Sequence, residues 1–315
     1  MALVPYKKPS KNADMTEFFH FKTISEVHRL MGLGKPQHPL ITIIRQWPDT
    51  GLNFKNVKLT SDLYLLAMKG KINGSFKYGR NSYDYDEGTL TFIAPQQAVI
   101  FGQEKPADDD SGWTIIFHPD LIRKSELGAT IYGYSFWNYD THEALHVSDK
   151  EKRMLADLVE RIAIELQQNI DKHSQELIIS NLEMIMKYSR RYYDRQFYTR
   201  ANLHSDFVTQ FEQYLESYFS SSDLIEKGLP TVTQCGEALN MSGSYLSDLL
   251  KLETGKSAKA HIHSTVIDRA KTILLSSNDP ISTVAYDLGF EYPQHFSKLF
   301  KSKTGTSPSK YRSLN

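Results

Sequence analysis

Gln294, His295 and Lys298 are the residues of this sequence best suited to reading a flat polar edge. Residues three and four apart share one helix face, so on a helix these three point the same way. A glutamine amide donates and accepts together, which fits the N6/N7 edge of adenine. A lysine donates to guanine O6 and N7. Lys301, one turn further on, suits a phosphate, and Glu291 precedes the group at a turn. Phe296, Leu299 and Phe300 occupy the opposite face of the same segment. Burying that apolar face would present the polar one to a partner.

The preceding residues supply the support. Ile281, Val284, Ala285 and Leu288 fall at i, i+3, i+4 and i+7, the spacing of a helix face. Asp279 is expected as its N-cap and Pro280 as its first-turn residue, with Gly289 as the stop. Gly305 ends the following helix and Pro308 is expected to bar its resumption. Two helices with a short break and a polar outer face on the second make a helix-turn-helix over 280–304, the shape that sets one helix in the major groove of double-stranded DNA.

The device is duplicated. Val232, Cys235, Gly236, Leu239 and Met241 precede Ile281, Val284, Ala285, Leu288 and Phe290 by 49 residues each. Leu246, Leu249, Leu250, Lys251 and Gly255 precede Phe296, Leu299, Phe300, Lys301 and Gly305 by 50. One extra residue in the second turn accounts for the change of offset. The upstream helix-turn-helix spans 231–254, with Ser242 as cap of its outer helix. The offset nominates Ser244, Tyr245, Ser247, Asp248 and Lys251 as its DNA-facing residues. Asp248 either accepts from cytosine N4 or pairs with a nearby lysine. Gly236 and Gly243 each weaken a helix by about 1 kcal/mol, so the downstream copy is expected to supply more affinity. Between the copies, Ile262, Val266, Ala270, Ile273 and Leu274 stripe one helix, a stiff spacer between the two outer helices.

These residues resemble the DNA-binding domain of the AraC/XylS family of regulators. The resemblance is carried by Ile281, Val284, Ala285, Gly289, Phe290, Phe296, Phe300, Lys301, Gly305, Pro308, Tyr311 and Arg312 at fixed spacing. It implies a sequence-specific transcription regulator, most often an activator, that places two helices in successive major-groove segments about 34 Å apart. The family's base-reading positions fall on Gln294, His295 and Lys298. RNA polymerase and a small-molecule effector are implied as partners, and no cofactor.

The expected fold is α+β and multidomain. Residues 40–118 carry short β-rich runs broken by Gly, Pro, Asn and Asp, which suggests a sandwich or barrel. In the family this region is a cupin-like jelly roll, which assigns 1–147 to an effector domain. TIIFHPDLI, Thr114 to Ile122, resembles the family's final strand and following helix start. Tyr64, Phe76, Tyr78, Tyr83, Tyr85 and Phe92 either line an effector cavity or fill the core. Among the residues of 40–118 only His118 is a histidine, too few for a cupin metal site. No catalytic site is expected. Residues 148–200 form a helical connector with two apolar stripes, Leu155, Leu158, Val159, Ile162, Leu166 and Leu177, Ile178, Leu182, Ile185, Met186. In the family such helices often join a homodimer. Ser189 to His204 is charged and polar and is expected as the linker, with 201–315 as the DNA-binding domain opened by Phe207, Phe211 and Leu215.

Composition sets bounds. The 315 residues carry 37 basic and 37 acidic groups, a net charge of zero. From Gly243 to Asn315, however, ten Lys/Arg face six Asp/Glu. From Lys298 onward five bases (Lys298, Lys301, Lys303, Lys310, Arg312) meet no acid, the footprint of phosphate contact or of a solvated tail. The single cysteine, Cys235, excludes an internal disulfide and falls on an apolar helix position. No apolar run spans a membrane and no signal peptide opens the chain, so a cytoplasmic setting is expected. Two other classes fit less well. A cupin-type enzyme lacks its metal ligands, and a DNA-repair protein lacks a reactive cysteine in an added domain.

Overall fold

In the strand Trp113–Phe117 all five side chains are out of water. A β-branched and aromatic run of this kind fits a strand covered on both faces. The computed structural model describes residues 17–46, 57–69, 77–78, 81–82, 88–100, 112–140, 143–168, 171–201 and 206–314. The chain folds as two units. One is Met1–Trp137 with Ala144–Asp194, and the other is Asn138–Glu143 with Arg195–Asn315.

The first unit is sheet-rich. Its elements run β1 (Glu17–Phe21), α1 (Ile24–Leu30), β2 (Ile41–Ile44), β3 (Val57–Ser61), β4 (Tyr64–Lys69), β5 (Lys77–Tyr78), β6 (Asn81–Ser82), β7 (Thr89–Ile93), β8 (Val99–Ile100), β9 (Trp113–Phe117), α2 (Glu126–Thr130), β10 (Leu145–His146), α3 (Asp149–Gln167) and α4 (Lys172–Ala201), the last of which continues from Arg195 into the second unit. A five-stranded antiparallel sheet has the order β10-β7-β4-β9-β2. A second sheet has the order β1-β3-β8, with β1 and β3 parallel, and β5 pairs β6 alone. No closed barrel is seen among the described residues. A single-turn 3-10 helix, Pro119–Leu121, follows β9, where His118 caps its first turn through Asp120 N–H.

Tyr64 and Phe92 are core residues. Tyr64 stacks on Phe117 at 5.0 Å and meets Trp137 at 4.7 Å. Phe92 meets Phe136 at 4.4 Å and Trp137 edge-on at 5.3 Å. Burial pushes the Tyr64 phenol up to about 12. Of the other aromatic candidates, Tyr78 ends β5, and Phe76, Tyr83 and Tyr85 lie outside the described residues.

α3 opens with a capping box between Ser148 and Glu151 and buries Leu155, Leu158, Val159, Ile162 and Leu166. α4 departs from the expected linker: it stays helical from Lys172 to Ala201, through most of Ser189–His204. The reason is a second set of buried positions in register with the first. Ile178, Leu182, Ile185 and Met186 are followed by buried Ser189, Tyr192, Tyr193, Gln196 and Phe197. Tyrosines and a glutamine carry this stripe, so an apolar count misses it. Leu177, expected on the inner stripe, is exposed instead.

The second unit is helical: α5 (Asp206–Phe219), α6 (Asp223–Lys227), α7 (Val232–Ala238), α8 (Gly243–Thr254), α9 (Ala258–Ser276), α10 (Ile281–Asp287), α11 (Pro293–Thr304) and α12 (Pro308–Leu314). One core joins Phe211 and Leu215 of α5 to Leu246, Leu250, Val284, Ala285, Phe296 and Phe300. Through it run Ile262, Val266, Ala270 and Leu274 of α9. α9 packs against both α8 and α11. Its 19 residues make a rod of about 28 Å at 1.5 Å per residue.

Candidate nucleic-acid interface

The two helix pairs, α7–α8 and α10–α11, share the hydrogen bonds of their turns and of the ends of their outer helices. Asn240 N–H donates to Glu237 O at 3.1 Å, and Met241 N–H to Gly236 O at 3.0 Å. Forty-nine residues on, Gly289 N–H donates to Tyr286 O at 2.9 Å, and Phe290 N–H to Ala285 O at 3.0 Å. At the ends of the outer helices, Thr254 Oγ1 donates to Leu250 O and Thr304 Oγ1 to Phe300 O, each at 2.8 Å. Ser257 then caps α9 through Ala260 N–H, and Ser307 caps α12 through Lys310 N–H, both at 3.3 Å. Pro308 therefore does not end helicity but starts a further helix, the short counterpart of α9.

α10 begins one residue later than expected. Pro280 is its N-cap, without a side-chain bond, and Asp279 lies outside it. Upstream, Thr231 caps α7 with a full capping box to Gln234, and Ser242 caps α8 through Tyr245 N–H.

On α11 the polar face is open. Gln294, His295, Lys298 and Lys301 are exposed, while Phe296 and Phe300 are fully buried on the opposite side. Glu291 is exposed at the turn and holds the hydroxyl of Tyr292, whose own ionisation it pushes upward. Tyr292, half exposed, stands edge-on to His295 at 5.3 Å. Periodicity does not single out this ring, although an aromatic N-cap beside a polar face is a visible signal.

On α8 the equivalent face is covered. Tyr245 is only 2% exposed, with its ring against Tyr139 at 5.2 Å and Phe197 at 4.8 Å. In this arrangement it reaches no partner from outside, which corrects its nomination by offset from His295. Asp248 forms no ion pair with a lysine among the described residues; its carboxylate accepts from the Tyr139 hydroxyl at 2.6 Å. Ser244 and Ser247 are half-buried and line a cleft of about 550 Å³ with Asn138, Asp140, Thr233 and Glu237. Lys251 is exposed. Of the covering residues, Tyr139 and Glu143 lie about a hundred positions upstream of α8, 99 at the Glu143–Ser242 contact, and no local pattern reveals them.

Among the basic residues of the C-terminal end, Arg312 has a structural role. Its guanidinium donates to Leu274 O at 3.2 Å and Asp279 O at 2.8 Å, fixing α12 to the end of α9. Lys298, Lys301, Lys303 and Lys310 are exposed. Cys235 is buried, and burial pushes its thiol up to about 11, so it is a small core residue. No described helix is long and apolar enough to cross a membrane.

Two helix pairs of this construction on one spacer define a double helix-turn-helix domain. A family model described as a helix-turn-helix domain matches residues 235–313. This C-terminal domain is an AraC-type helix-turn-helix domain. The chain is similar to the arabinose operon regulatory protein of Escherichia coli (strain K12), 30% identical over 100 residues, 32% of each chain. It is also similar to the xylose operon regulatory protein of that strain, 31% identical over 84 residues, 27% of this chain and 21% of that one. Among solved structures, the C-terminal domain of AraT, a response regulator from Geobacillus stearothermophilus, is 33% identical. That match covers 35% of this chain and 85% of that one, with a TM-score of 0.31. The chain thus spans about a third of the arabinose regulator's length.

Proposed function

We propose that this chain is a sequence-specific DNA-binding transcription regulator. The observation that carries the reading is the open face of α11, with Gln294, His295, Lys298 and Lys301 exposed over a fully buried Phe296 and Phe300. Such a face enters the major groove with its N-terminal residues against base edges. Gln294 and Lys298 read bases, and Lys301, Lys303 and Lys310 neutralise phosphates. α8 is the second reading helix, through Ser244, Ser247 and Lys251.

In this reading the sheet-rich unit is the cupin-like part, which takes a small effector or joins subunits. The regulator acts in the cytoplasm as a homodimer and, as family members most often do, as an activator that engages RNA polymerase. Exposed Met154, Ile164, Leu177 and Met184 on α3 and α4 support a pairing surface there.

The test is selection of bound duplexes from a random pool, followed by titration of the selected site and of scrambled DNA at two salt concentrations. Lys298→Ala is expected to relax choice at one base position by about 1–3 kcal/mol. Equal losses on selected and scrambled DNA would remove the base-reading role. Failure of the wild-type chain to enrich any sequence would overturn the regulator itself.

A further inference from the structure

We propose that the stretch carrying Tyr139, Asp140 and Glu143 is an autoinhibitory strap that occupies the DNA-facing site of α8. The inference rests on the regulator reading and adds a means of control to it.

Glu143 is 1% exposed, an unusual place for a carboxylate unless it is fully bonded. It accepts from Ser242 N–H at 2.7 Å and from Ser242 Oγ at 2.5 Å, at the N-terminus of a 12-residue helix. That terminus carries the helix's partial positive charge, and a groove-bound helix offers such N–H groups to a DNA phosphate. The carboxylate therefore stands where a phosphate oxygen would stand. It is held there by two bonds to Asp140, with Asp140 N–H donating to Glu143 Oε2 and Glu143 N–H donating to Asp140 O, each at 2.8 Å.

Three further contacts spread the cover along α8. Tyr139 donates to Asp248, its ring meets Tyr245, and Phe197 meets both Tyr139 and Tyr245. The downstream copy is the internal control. His295 and Lys298, the counterparts of Tyr245 and Asp248 at an offset of 50, are exposed. One copy of a duplicated device is open and the other is closed.

A closed second helix lowers apparent affinity by the fraction of molecules in which it is free. The charge of the strap adds to this, since Asp140 and Glu143 would face a phosphate if they stayed in place. The strap is also well placed to be moved. Trp137 on one side packs on Tyr64 and Phe92, and Leu145–His146 on the other pairs with β7, so both flanks are built into the sheet-rich unit.

The experiment uses the full chain and its selected duplex, with wild type, Glu143→Ala, Tyr139→Phe and the double variant. Dissociation constants, base-resolved footprints and melting temperatures are measured in one buffer. The strap predicts a gain in affinity of about tenfold for the double variant, with a smaller gain for each single one. It also predicts that protection lengthens by about one helical turn, roughly 10 base pairs, as α8 engages. Folded variants that bind no tighter than wild type, over an unchanged footprint, would overturn the strap and leave the regulator standing. No binding by any form, wild type included, would overturn both. Should Glu143→Ala lower the melting temperature sharply, Tyr139→Phe decides alone, because it removes only a hydroxyl. A tighter complex would support the strap, and an unchanged or weaker one would overturn it.

Discussion

Asn240 and Gly289 hold the same left-handed turn in the two helix pairs, with φ of +57° and +81°. Asparagine tolerates this region and glycine adopts it freely, whereas other residues are strained there by about 1–2 kcal/mol. At Gly289 the backbone also approaches closely, because an added Cβ would lie 2.8 Å from Leu224 O. Gly289→Ala is therefore expected to cost about 2–3 kcal/mol in urea unfolding, combining the strained φ with a shift of α6. Asn240→Gly is expected to be within about 0.5 kcal/mol of wild type. A loss at Gly289→Ala no larger than the strained φ alone, about 1–2 kcal/mol, would show that the approach to Leu224 adds nothing.

The helix pairs were legible because their cores repeat at fixed offsets in the same residue types. Val284, Ala285, Phe296 and Phe300 are buried as their periodicity required. The sheet-rich half was legible at β9 and β7, where β-branched runs end in Gly or Pro, and illegible at β1 and α1, which at five and seven residues are too short to show a period. The cover on α8 was illegible for another reason. Tyr139 and Glu143 meet Asp248 and Ser242 across about a hundred residues of chain, and nothing in a local pattern records a contact that tertiary folding makes. The same blindness applied to Arg312, which looked like part of a basic end and serves as a clamp on carbonyls.

Gly236 is required by space more than by conformation. A Cβ there would lie 2.5 Å from Met241 O and 2.8 Å from Gly243 N, both backbone atoms of the turn that launches α8. Its downstream counterpart is Ala285, buried at the same point of α10. Gly236→Ala should thus destabilise by about 1–3 kcal/mol despite improving helix propensity. A stabilised variant in urea unfolding would mean that α7 and α8 separate at little cost.

Arg312 and Lys301 separate structure from phosphate contact. Arg312→Ala removes two donors to backbone carbonyls and should lower stability by about 1–3 kcal/mol. It should leave the slope of log affinity against log salt unchanged. Lys301→Ala should do the opposite, reducing that slope by about 1 with little loss of stability. A slope change for Arg312→Ala alone would reverse the two assignments.

Three histidines set a pH dependence whose sign is fixed by burial. His261 is held low by burial and by Lys256, against a weaker opposing pull from Glu212, and its Nε2 lies 2.7 Å from Thr254 Oγ1. His263 is lowered by burial with Lys259 and Lys303, and His38 by burial. Each is thus harder to protonate folded than unfolded, where its ordinary value is 6.5. Below that value the unfolded chain binds more protons, so stability falls with pH. The loss begins as pH drops through about 6.5 and ceases once the lowered folded values are passed. Carboxylates titrate lower, near 4, so a melting series between about pH 7.5 and 5.5 isolates the histidines. The melting temperature should decline across it, and His261→Gln should flatten the decline. A melting temperature that rises on acidification would mean these rings gain partners on protonation, and the burial argument would fail at α9.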